Sequence, residues 1–181
     1  MDSPAPKMFG KDHEKVGLNI AELIGNFNLL EIALYQALCD MLDDPTGDIT
    51  EAILSRVDSV SYKMGCVFDI ARLKADKPSA KAILAHETEI RQLTSFRNKL
   101  AHGLFVRDQD ANLVVATNIF RVGRKAATVE PITRTDVLSR SLRIIAIMNA
   151  VNDAAPKERI TLHGGRIVLI PGHRHGGEDV R

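Results

Sequence analysis

The sequence predicts a mainly α fold, an antiparallel helical bundle of about four helices, with β-hairpin insertions after the third helix and at the C-terminus. Three observations predict it. Apolar residues recur at spacings of three and four through four long stretches, which places them on one face of a helix. After Gly103 the pattern changes to short apolar runs separated by turn residues. The chain has 181 residues, 45% of them hydrophobic, without an internal repeat, which fits one domain with short appendages.

Residues 1–12 contain Pro4, Pro6 and Gly10 and read as a flexible N-terminal arm. The first helix is expected over His13–Leu42, with Val16, Ile20, Leu23, Phe27, Leu30, Leu34, Leu38 and Met41 as its stripe. Asp43-Asp44-Pro45-Thr46-Gly47 ends it. The second helix starts near Ile49 or Thr50 and carries Ile53, Val57, Val60, Met64, Val67 and Ala71, with Lys77-Pro78 closing it. Ser79 is read as the cap of the third helix, whose stripe is Ile83, His86, Ile90, Leu93, Arg97 and Leu100. Gly103 is expected to supply a left-handed stop. Leu104–Arg107 and Leu113–Ala116 flank Asp108–Asn112 as a hairpin, and a third short strand covers Ala127–Ile132. The fourth helix spans Thr135–Asp153 on Leu138, Leu142, Ile145 and Met148. Arg159–His163 and Arg166–Ile170 flank Gly164-Gly165 as a second hairpin, and 171–181 reads as a disordered tail beyond the 13–170 domain.

Composition excludes several classes of function. The net charge of +1 gives no global basic field, so any RNA contact needs a local patch. Trp is absent and aromatics are 4%, which argues against a stacking platform for single-stranded bases. No apolar run approaches a bilayer span, and the N-terminus does not read as a signal peptide. Cys39 and Cys66 lie inside apolar helical patterns and read as buried core thiols in a reducing, cytoplasmic setting. There is no phosphate-cradling glycine loop, nucleophile elbow or zinc-finger spacing.

Polar residues stand where apolar ones belong. Glu31 on the first helix and Arg97 on the third lie in the apolar seams. A buried carboxylate or guanidinium needs a partner, so Glu31 and Arg97 are expected to face each other. His102 follows Arg97 by five residues, about 140° around a helix axis. The two side chains converge if the helix loosens at His102, or if two chains bring their helix ends together across a two-fold axis. Asn98, four residues before His102, shares its face and can orient the imidazole. Histidine exchanges a proton near neutral pH, and arginine offers a fork of donors that matches a phosphate. The pair suits phosphodiester chemistry in which the RNA 2′-hydroxyl is the nucleophile and no metal is required. The plain alternative is a helix-end histidine beside a structural ion pair.

Other candidates are weaker. His86 reads as a satisfied core histidine or a support for the site. Arg121, Arg124 and Lys125 form a loop patch that either contacts RNA phosphates or is simply solvated. His163, His173 and His175 lack a second ligand cluster, and Asp43, Asp44 and Asp48 lack the spacing and closing acid of a calcium loop.

The run Phe96-Arg97-Asn98-Lys99-Leu100-Ala101-His102-Gly103 resembles the signature of HEPN domains, in which Arg, a polar residue that is often Asn, and three more residues precede a His. Gly25-Asn26-Phe27-Asn28-Leu29-Leu30-Glu31 is similar to the first-helix segment of many of them, and the resemblance covers about residues 13–155 in helix order. It implies a helical bundle that pairs as a homodimer, and a metal-independent endoribonuclease of toxin–antitoxin, phage-defence or RNA-processing systems. It assigns catalysis to Arg97, Asn98 and His102 at a composite dimer-interface site. Glu31 and His86 would support that site, and the products would carry 2′,3′-cyclic phosphates. The implied partners are RNA, a second copy and a cognate antitoxin protein, with no cofactor, metal or membrane. The hairpins and the C-terminal extension depart from the simplest pattern of the family. Two other readings stay open: a non-catalytic interaction or regulatory subunit of such a system, and a nucleotide-sensing module.

Overall fold

A computed structural model describes residues 11–107, 113–117, 128–155, 159–163 and 166–170. The expected loop patch Arg121, Arg124 and Lys125, the tail histidines His173 and His175, and most of the expected N-terminal arm lie outside those residues. The elements run α1 (Lys11–Met41), α2 (Asp48–Leu54), α3 (Val60–Leu73), α4 (Pro78–Ala85), α5 (Glu87–His102), β1 (Leu104–Arg107), β2 (Leu113–Thr117), β3 (Thr128–Pro131), α6 (Arg134–Ala154), β4 (Arg159–His163) and β5 (Arg166–Ile170). The protein is thus mainly helical with a small antiparallel sheet. Among the described residues, no helix is long and apolar enough to cross a membrane.

Two compact units divide the chain, residues 1–31 with 88–147 and residues 32–87 with 148–181. In the first, Ile20, Leu23, Phe27 and Leu30 of α1 are buried, as are Ile90, Leu93 and Leu100 of α5 and Val137, Ile144 and Ile147 of α6. Its sheet has the order β1-β2-β3, antiparallel throughout, with Phe105 opposite Val115 and Val115 opposite Glu130. Because side chains alternate along a strand, Phe105, Val115 and Glu130 share one face of that sheet. Thr133 and Asp136 cap the start of α6 reciprocally. The Thr133 Oγ1 accepts from the Asp136 N–H at 3.1 Å and donates to the Asp136 carboxylate, which also accepts from the Thr133 N–H at 3.3 Å.

In the second unit Leu34, Leu38, Met41, Val67, Phe68 and Ile83 are fully buried. Asp44 closes the turn between α1 and α2. Its carboxylate is only 4% exposed and accepts from the Thr50 N–H at 2.8 Å, the Thr50 hydroxyl at 2.9 Å and the Gly47 N–H at 3.1 Å. Burial pushes its pKa up, but these hydrogen bonds to the charged form outweigh burial and hold it below the usual carboxylate value. Gly47 sits at φ 79°, and Tyr35 donates its hydroxyl to the Gly47 carbonyl at 3.1 Å. The β4–β5 hairpin pairs Arg159 with Ile170 through His163 with Arg166, as the sequence predicts, although Gly164-Gly165 falls outside the described residues.

Several expectations are corrected. The second predicted helix is two, because the chain leaves α2 after Leu54 and Ser59 is extended at φ −92° and ψ 127° before α3. Asp58 and Ser59 compete with the helical backbone and favour such breaks. The third predicted helix is also two. His86 leaves helical geometry at φ −112° and ψ 7°, and its N–H bonds back to Ile83 at 3.1 Å. Lys77, extended as a residue before proline prefers, is the N-cap of α4, with Pro78 in the first turn where its missing N–H costs nothing. Ser79 is not the cap but donates its hydroxyl to the Asp40 carboxylate at 2.6 Å. On α6 the buried face is Val137, Ser141, Ile144, Ile147 and Val151, and Leu142 is 67% exposed. The predicted stripe is rotated because Ser141 holds a core position, where its hydroxyl accepts from the Asn26 amide at 2.8 Å. Among the described residues Gly103 is not at positive φ. It is needed for space, since a Cβ there would run into a Val115 methyl and lie 2.5 Å from the Lys99 carbonyl oxygen. Of the two thiols, Cys39 is buried and Cys66 half-buried.

Candidate functional site

The site candidates converge on α5. Ile90, Leu93, Thr94 and Leu100 are its buried residues, and Thr94 returns its hydroxyl to the Ile90 carbonyl at 2.7 Å. Arg97 belongs to that inner side. It is half-buried, and its guanidinium carbon lies 5.9 Å from the centre of the Phe27 ring on α1, a cation–π contact. One Nη donates to the Asn98 side-chain carbonyl at 3.3 Å. The Nε is buried and makes no hydrogen bond to a described residue, so the expected pairing with Glu31 is not made through that atom. Glu31 stands one helical turn beyond Phe27 on α1, so the two share a face, and its Oε1 is buried.

His102 is the last residue of α5 and is exposed. The helix does not loosen there: the Gly103 N–H still bonds the Lys99 carbonyl four residues back, at 2.8 Å. With regular geometry maintained, Arg97 and His102 remain about 140° apart on one chain. Asn98, half-buried, lies one turn before His102 on the same side. His86 terminates α4, in the second unit.

Sheet residues fix the position of the helix end. Lys99 donates to both carboxylate oxygens of Glu130 on β3, at 2.7 and 2.8 Å. Glu130 and Val115 share a sheet face, and Val115 also presses against Gly103, so the last turn of α5 lies on that face. Farther back, the Arg140 guanidinium of α6 stacks on the Phe96 ring at 4.0 Å, and Arg143 bonds Glu89. Sequence reasoning missed the Lys99–Glu130 pair. The only signal for it was a carboxylate in the short third strand, and nothing in the sequence names its partner.

No family model, curated protein or solved structure matches this chain. What α5 can do chemically therefore rests on its own side chains and their motif. Among the described residues no three His, Cys, Asp or Glu side chains gather closely enough to hold a metal ion. The helix end offers an exposed imidazole, an amide one turn away, a half-buried guanidinium bonded to that amide, and a lysine held by a carboxylate.

Proposed function

We propose that this chain is a HEPN-type, metal-independent endoribonuclease with the helical bundle of that family, and that a second copy completes its site. The observation that carries the reading is the exposure of His102 at the end of an unbroken helix that also bears Arg97 and Asn98. Exposure leaves the imidazole within reach of a polynucleotide, which a buried one would not be. Because the helix stays regular, one chain keeps Arg97 and His102 on different sides, and two helix ends meeting across a two-fold axis bring both chemistries to one phosphate.

His102 of one copy takes the proton of the 2′-hydroxyl, and the 2′-oxygen attacks phosphorus. The bond to the 5′-oxygen breaks, and a protonated His102 from the other copy supplies the leaving oxygen with a proton. The products are a 2′,3′-cyclic phosphate and a 5′-hydroxyl. Arg97 balances the charge on the phosphoryl oxygens, and Asn98 orients the imidazole or the substrate. The test is cleavage of a labelled RNA in the presence of a chelator. Wild type is expected to leave cyclic phosphate ends, and His102→Ala and Arg97→Ala to lose at least about 100-fold in rate. Equal cleavage by all three proteins removes the assignment.

A further inference from the structure

His102 sits in the last turn of α5, where a helix is ordinarily least ordered because its final carbonyls lack helical donors. Two contacts hold this turn, one on each side of the histidine. Three residues before it, the Lys99 ammonium donates to both carboxylate oxygens of Glu130, at 2.7 and 2.8 Å. One residue after it, Gly103 lies so close to a Val115 methyl that no Cβ would fit. Val115 and Glu130 are direct partners on β2 and β3, so one cross-strand pair supplies both contacts. The earlier turns of α5 are fixed from elsewhere: Ile90, Leu93 and Leu100 are buried, Arg143 bonds Glu89, and Arg140 stacks on Phe96. The Lys99 and Glu130 side chains are 35% and 45% exposed, and a pair so exposed adds little to global stability. Its effect is local, on the residues that follow Leu100.

We propose that Glu130 is a positioning residue for His102, acting through Lys99. Lys99 is about 60° from His102 around the helix axis, so holding its ammonium fixes the roll of the turn that aims the imidazole. Gly103 against Val115 sets the height of that turn over the sheet. The inference rests on the nuclease reading for the reaction it serves, whereas the tether itself is a property of the fold. In that reaction two imidazoles reach one phosphate, and the rate falls steeply when reacting groups are misplaced by about 1 Å. Glu130 needs no contact with the substrate to do this. Its effect falls on the rate of the chemical step and not on binding.

The experiment pairs steady-state cleavage of a labelled RNA with backbone 15N relaxation on the full chain. Glu130→Gln and Lys99→Met are each expected to lower kcat about 10-fold, with KM within about 2-fold of the parent. The exchanged pair, Lys99→Glu with Glu130→Lys, should return kcat to within about 3-fold of the parent, which a lysine needed for its own charge would not allow. Amide order parameters at Ala101, His102 and Gly103 should fall from about 0.85 toward about 0.6 in Glu130→Gln, and those at Ile90 and Leu93 should not move. A merely structural pair would lower the melting temperature and loosen the helix along its length. Arg72→Gln breaks a comparable exposed pair with Glu87 at the other end of α5 and should leave kcat within about 2-fold. Order parameters at 101–103 unchanged by Glu130→Gln overturn the proposal, as do unchanged kcat values from an active parent or an exchanged pair as slow as the single variants. A parent that cleaves no RNA removes the nuclease reading alone, and the order parameters then decide the tether.

Discussion

Asp44 shows how one side chain holds a turn. Its carboxylate accepts four hydrogen bonds while almost wholly buried, from the Thr46 and Thr50 hydroxyls and from the Gly47 and Thr50 N–H groups. Bonds to a charged acceptor are worth about 1.5–3 kcal/mol each at most and are not additive, so Asp44→Ala should cost about 3 kcal/mol, read from urea midpoints. The pH dependence has a definite sign. The folded pKa lies below the unfolded value of about 3.9, so the contribution is complete above that value and is lost as pH falls toward the lower folded one. Wild type should therefore lose more stability than Asp44→Asn between pH 5 and pH 2; parallel losses would show that the turn does not depend on the charge. The sequence marked Asp44 as turn chemistry. It could not mark the carboxylate as buried, because its donors come from residues up to six positions away whose approach depends on the turn itself. Arg97 and Glu31 were legible for the converse reason: a charge inside an apolar stripe stands out without knowledge of its neighbours. Ser141 was not legible, since a small hydroxyl in the core declares itself only beside Asn26.

At the level of elements, glycine separates two causes. Gly103 has no room for a Cβ against Val115 and the Lys99 carbonyl, so Gly103→Ala should destabilise by about 1–3 kcal/mol and displace the end of α5 from the sheet. Gly65, inside α3, has open space around its Cβ position, so Gly65→Ala should stabilise by about 0.5–1 kcal/mol through helix propensity alone. Thermal melts of the two variants should move in opposite directions; a shift of the same sign in both would contradict this account. The strands were read nearly to the residue, because apolar runs bounded by turn residues leave little choice of register. The helices were read in existence but not in number. Ile53, Val57 and Val60, and again Ile83, His86 and Ile90, keep helical spacing across breaks at Ser59 and His86. A seam that continues in phase over a short interruption looks the same in sequence as an unbroken one.

For the whole molecule, the proposed chemistry needs two copies, which makes activity depend on concentration. Specific cleavage activity should fall on dilution below the dimer dissociation constant, in step with the loss of dimer seen by sedimentation velocity. Constant specific activity from a demonstrated monomer would rule out the two-copy site. The mainly helical class and the motif on α5 were both accessible from the sequence, because each depends on local spacing. The division into units 1–31 with 88–147 and 32–87 with 148–181 was not, since it cuts through α1 and α6 at points where the apolar stripe continues without a mark.

A single residue joins α5 to β1, and that joint limits any transplantation of the motif. A peptide ending at His102 would be a 16-residue helix, near the length at which isolated helices are only marginally formed in water. It would also have lost the Glu130 clamp on Lys99. A graft that keeps the histidine in its native orientation has to carry the three strands through Pro131 with it, so the smallest portable version of this helix end is a helix and a sheet together.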